Sequence, residues 1–96
     1  MPKAYIIADV HTTNPEQMGL YREWSAKAIA EHKVKVLSRG GAIEVLEGDW
    51  QPKRMVMFEF DSMTDARNYY NSQAYAAARQ VREGAGVINM IIVEAT

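Results

Sequence analysis

Residues 37–50 read LSRGGAIEVLEGDW, and the reading of this stretch decides the fold. Its apolar residues recur as they would along a strand, yet Arg39 and the adjacent Gly40-Gly41 pair interrupt them. Glycine weakens a strand interior because it packs nothing and gives up the most backbone freedom. Two in succession therefore signal a special backbone conformation. One explanation is a bulge that bends an edge strand and lets its second half pair differently. The other is room left for a ligand beside an arginine whose planar fork suits a carboxylate. The bulge is the better account of the glycines. Arg39 fits a ligand or a partner subunit equally well. Residues 34–47 then form one strand, broken at the glycine pair.

Working outward, AYIIADVH (4–11) alternates as a strand, with Tyr5, Ile7, Asp9 and His11 on one face and Ile6, Ala8 and Val10 on the other. Asn14 and Pro15 open a helix, with Gln17 at capping-box spacing. That helix runs to about His32 along a stripe of Met18, Tyr21, Ser25, Ala28 and His32. After a turn through EGDWQPKR (47–54), MVMFEF (55–60) is a third strand whose near-continuous apolar character predicts burial on both faces. Ser62 caps a second helical region, which breaks at Asn71-Ser72, restarts on Ser72, and ends at Gly84 and Gly86. VINMIIVE is the last strand.

The order β-α-β-β-α-β in 96 residues predicts a single α+β domain spanning 1–96, a ferredoxin-like sandwich with both helical regions on one face of an antiparallel sheet. The uncovered face keeps apolar residues of the third and fourth strands, which predicts a homodimer. A formal net charge of −1 lacks the concentrated basic face that nucleic acid requires. With no cysteine there is no disulfide, thiolate metal site or thiol nucleophile. No apolar run is long enough to span a membrane, and the N-terminal residues lack a leader pattern, so a cytoplasmic protein is expected.

Three segments, YIIADVHTTNPEQM, LSRGGAIEVLEGDWQPKRMVMFEF and YYNSQAYAAARQVR, together resemble the small bacterial family called domain of unknown function 1330. The likeness covers nearly the whole chain through RGG, LEG-x-W-x-P-x-R, EF-x-S and YNS-x-x-Y-x6-R, in that order. It implies a dimeric α/β barrel in which the four-stranded sheets of two subunits pack together. It also implies a cleft between helices and sheet that holds a small ligand. Relatives in the wider superfamily include cofactor-free monooxygenases and isomerases, and others that bind haem.

The candidate site residues are few. Asp9 and His11 share a strand face, and a carboxylate orienting an imidazole is a general-base arrangement. The plainer account has His11 in solvent and Asp9 paired with a basic neighbour. Glu59 interrupts an apolar strand and needs a cation or donors, with Arg39 or Arg82 as the expected partner. Asp9, His11 and Glu59 are thus the candidate catalytic groups, and Arg39, Glu59, Tyr70, Tyr75 and Arg82 the candidate ligand-binding set. No spacing resembles a metal site, and no cofactor is expected. The leading expectation is a protein that binds a small polar or carbonyl-containing molecule. The alternatives are a cofactor-independent enzyme (monooxygenase, isomerase or decarboxylase-like) on a small carbonyl or aromatic compound, and a purely structural dimerisation module.

Overall fold

In a computed structural model, which describes residues 2–96, β1 (Ala4–Thr12) occupies the middle of a four-stranded antiparallel sheet of order β2-β3-β1-β4. The other elements are α1 (Pro15–Ala30), β2 (Lys35–Arg39), β3 (Met55–Phe60), α2 (Met63–Tyr70), α3 (Gln73–Val81) and β4 (Gly86–Glu94). Alternation along β1 assigns its faces. Ala4, Ile6, Ala8 and Val10 are buried beneath the helices, while Tyr5, Ile7, Asp9 and His11 face the other way.

The helix starts follow the predicted chemistry. Asn14 Oδ1 accepts from Gln17 N at 3.1 Å, Ser62 Oγ from Asp65 N at 3.1 Å, and Ser72 Oγ from Tyr75 N at 3.1 Å. The Ser72 hydroxyl also donates to Tyr69 O at 2.7 Å, so one side chain closes α2 and opens α3. Gln17 Nε2 donates to the carbonyls of Val81 and Glu83 at 2.9 and 2.6 Å, tying the start of α1 to the end of α3. Between helices and sheet lies a core of Ile6, Phe58, Phe60, Tyr69 and Tyr75 with the alanines of each helical region. Small residues at these helix positions let the helices approach the sheet closely.

Two expectations about the strands need correction. The second strand ends at Arg39 instead of running to residue 47, and residues 41–46 form no strand. Gly40 adopts φ +76°, which turns the chain out of the sheet while its N–H still donates to Met55 O at 2.9 Å. The register shift lies between Val36 and Ser38, two residues before the glycines. On β3, burial is one-sided: Phe58 and Phe60 are buried, whereas Met55, Met57 and Glu59 on the opposite face are half-buried. That open face carries the exposed Val87, Ile91 and Val93 of edge strand β4.

Candidate functional site

A cleft opens between α1 and the covered face of the sheet. Its cavity volume is about 50 Å3, and it is partly open to solvent. Its floor is apolar: Ile6, Ala8 and Val10 from β1, Val56 and Phe58 from β3, and Ile88 and Met90 from β4. Helix α1 contributes Met18, Tyr21, Arg22 and Ser25, which share one helical stripe. At the inner end stand Tyr69 and Tyr75, each 1 % exposed. Three arginines from three different elements also line the cleft: Arg22 on α1, Arg39 at the end of β2, and Arg54 just before β3.

Local structure explains the arginine cluster. Arg39 pairs with Val56 across the β2–β3 ladder and so projects from the helix-covered face. Arg54 is fixed through its backbone, its carbonyl accepting from Val10 N at 2.8 Å. A Cβ on Gly40 would sit 3.1 Å from Arg54 Nε, so the missing side chain there leaves room for the guanidinium. Burial, reinforced by the charges of Arg22 and Arg39, pulls the Arg54 pKa below its ordinary value. Among the described residues, no carboxylate forms an ion pair with any of the three.

The tyrosines differ in their hydrogen bonding. The Tyr21 and Tyr75 hydroxyls share one hydrogen bond of 2.6 Å, in which either oxygen can donate. The Tyr69 hydroxyl is buried and makes no hydrogen bond of ordinary length and angle to any described residue, although the Ser25 hydroxyl is close enough to pull its pKa down. Burial pushes the Tyr69 phenol up to about 12, against the opposing pull of Ser25 and Arg39. Burial, with Tyr21 next to it, raises Tyr75 further still. Both phenols are therefore protonated donors at neutral pH.

Arg39 and Tyr75, expected from the sequence as ligand-binding residues, meet in this cleft. The other three stand elsewhere. Glu59 lies on the open face, where Lys3 Nζ approaches it at 3.7 Å, so the arginine expected beside it is replaced by a lysine. The alternation of β3 sends Glu59 away from the cleft that its neighbours Phe58 and Val56 line. Tyr70 accepts from Arg79 Nη1 at 3.3 Å and packs under that guanidinium, outside the cleft. Arg82 lies over the Tyr21 ring at 5.4 Å. Arg22, Arg54, Tyr69, Tyr21 and Ser25 were not expected as site residues. The signal for Arg22 was present, because it sits three residues before Ser25 on the inward stripe of α1.

Asp9 and His11 share the open face, with Asp9 Oδ1 3.2 Å from His11 Nε2. Asp9 is buried, and Trp50 Nε1 donates to its Oδ2 at 3.1 Å while Lys53 N donates to its Oδ1 at 3.2 Å. Burial pushes this carboxyl up, but the bonds from Lys53, Trp50 and His11 more than offset it and hold the pKa below its usual range. A depressed carboxylate pKa stabilises the fold above the unfolded-state value near 3.9, and that contribution is lost as pH falls through the folded value. Asp9→Asn is accordingly expected to melt below wild type at pH 7. As pH falls through the folded value, the two melting temperatures should converge. A constant gap across the series would show that the charge of Asp9 plays no part.

A four-stranded antiparallel sheet in this order, with its helices on one face, defines a ferredoxin-like α+β domain. Solved structures share the fold. A protein of unknown function from Rhodopseudomonas palustris superposes with a TM-score of 0.72 at 16% identity, covering 99% of this chain and 83% of that one. A dimeric ferredoxin-like protein of unknown function from Thermobifida fusca gives 0.69 at 15%, covering 98% and 92%. SnoaB, a cofactor-independent oxygenase from Streptomyces nogalater, gives 0.65 at 10%, covering 100% and 95%. The chain itself belongs to the family described as Domain of unknown function (DUF1330), whose model matches residues 3–96. No curated protein matches the sequence.

Proposed function

We propose that this single domain binds a small polar or carbonyl-containing molecule in the cleft between α1 and the sheet, and that it does so as a homodimer. The observation that carries the reading is the Tyr69 hydroxyl, a buried donor with no partner that lines an otherwise apolar cleft. Leaving such a group unsatisfied costs about 1–3 kcal/mol, a cost that a ligand acceptor would remove. Binding accounts for the cleft better than turnover does. Among the described residues its lining holds no carboxylate or imidazole, and its buried phenols are too weakly acidic to serve as bases at neutral pH. Asp9 and His11, which would make a base, stand on the opposite face of the sheet.

The homodimer rests on the open face. Val87, Ile91 and Val93 are 60, 57 and 42 % exposed along one side of β4, and a second copy is the simplest cover for them. The Thermobifida fusca neighbour of the same fold is described as dimeric, which supports a second copy as the occupant.

Native mass spectrometry of gently purified protein tests both parts. The expected species has twice the 10.8 kDa chain mass plus a small-molecule adduct. The adduct should be absent from Ser25→Phe, a variant that fills the cleft, once melting has shown that this variant is folded. A monomer overturns the dimer. An adduct retained by folded Ser25→Phe, or no adduct together with no rise in melting temperature from a panel of small keto and hydroxy compounds, overturns the cleft.

A further inference from the structure

We propose that the ligand is an organic anion of one particular build: a carboxylate for the arginines, a short apolar body, and a hydrogen-bond acceptor for the Tyr69 hydroxyl. This inference rests on the cleft reading above and specifies what the cleft takes. Three observations set the three parts.

The first is the arginine cluster. Arg22, Arg39 and Arg54 come from separate elements yet line one cleft, and Arg54 is partly desolvated beside the other two charges. Like charges held together disfavour one another, and none of the three has an acidic partner among the described residues. An incoming carboxylate supplies the missing charge. It is also the shape that a guanidinium fork binds with two parallel hydrogen bonds.

The second is the floor. Ile6, Val56, Phe58 and Met90 offer only apolar surface, so the middle of the ligand gains by being aliphatic or a single ring. The third is the Tyr69 hydroxyl. Tyr21 and Tyr75 share one hydrogen bond, and the Tyr69 hydroxyl, bonded to no described protein group, offers a buried donor for which a carbonyl or ether oxygen is the natural acceptor. An inorganic anion meets only the first of these demands. A neutral hydrocarbon meets only the second.

Calorimetric titration with 4-acetylbenzoate, 4-acetylbenzamide and 4-ethylbenzoate separates the contributions. At about 0.05 M salt, where screening is weak, 4-acetylbenzoate is expected to bind most tightly. The amide, which lacks the charge, and the ethyl compound, which lacks the acceptor, should each bind about tenfold or more weakly. Arg54→Met should weaken the two benzoates and leave the amide unchanged. Arg39→Met, at an exposed position, provides the same reading if Arg54→Met folds poorly. Tyr69→Phe should erase the preference for acetyl over ethyl while melting at or above the wild-type temperature, because it removes an unsatisfied buried hydroxyl. A purely structural tyrosine would instead lower the melting temperature and leave the preference intact. If the amide binds as tightly as the acid, the anion inference fails while the cleft reading stands. If none of the three binds, and the flexible 6-oxoheptanoate does not bind either, the anion inference fails, and an adduct on the wild-type protein that is lost from Ser25→Phe would show that the cleft reading survives it.

Discussion

Gly86→Val is expected to lower the melting temperature by more than about 12 °C. A Cβ at this position would collide with the carbonyl oxygen of His11 and lie 3.0 Å from Thr12 Cα. Both are backbone atoms of the central strand, and Thr12 is the residue that Gly86 opposes in the β1–β4 ladder. Neither can swing aside as a side-chain tip would, so the end of the ladder must open. Overpacking of this kind costs about 3 kcal/mol, and each kcal/mol lowers the melting temperature of a domain this size by about 4–8 °C. Smaller effects are expected at the other glycines. Gly40→Val places a β-branched residue at φ +76° and presses on Arg54, for about 1–2 kcal/mol. Gly41→Val meets only the movable Ser38 hydroxyl, at 3.2 Å, and should stay within about 0.5 kcal/mol of wild type. Thermal melts of the three variants check the order. Equal losses at Gly40 and Gly41 would mean that the pair acts as a unit.

Tyr75→Ala is expected to cost about 3–5 kcal/mol, in the range of large aromatic truncations in a core. The ring packs against three others, with centroids 5.0 Å from Tyr69, 5.5 Å from Tyr70 and 6.3 Å from Tyr21. Tyr75→Phe keeps that packing and loses only the bond to Tyr21, whose hydroxyl is part-buried, so about 1 kcal/mol is expected. Denaturant titration of the two variants separates packing from hydrogen bonding. If Tyr75→Phe were as damaging as Tyr75→Ala, the hydroxyl pair would be the dominant contribution. Alkali should also matter. A phenol with a raised folded pKa stabilises the fold below its unfolded value near 10, and that contribution is lost as pH rises beyond it.

The sequence disclosed the scaffold through local chemistry. Asn14, Ser62 and Ser72 begin helices because each offers an oxygen to an N–H three residues on, a relation contained within four residues. The period-two pattern of β1 assigned its faces for the same reason. Residues 41–47 misled because their alternation is strand-like while strand formation needs a neighbour, and Gly40 steers them away from β3. The site was less legible. Glu59 looked like a cleft residue because it breaks an apolar run, but a six-residue strand with five apolar side chains does not announce which face is covered, and one step along a strand reverses the direction. Arg22, Arg39 and Arg54 lie 32 positions apart from first to last. Their convergence depends on the register of β2 against β3, which no local spacing encodes. Gly86 read as the end of a helix, and its closeness to the β1 backbone depended on a partner 74 positions away.

Asp9 holds the backbone N–H of Lys53, and the next residue is Arg54. The carboxylate acts from the open face of the sheet, while the arginine serves the cleft on the other. Lys53 and Arg54 lie just before β3, and a single peptide bond there links the group held from one side to the side chain that serves the other. The same peptide bond thus joins a backbone N–H held by a buried carboxylate on the open face to a guanidinium that lines the cleft.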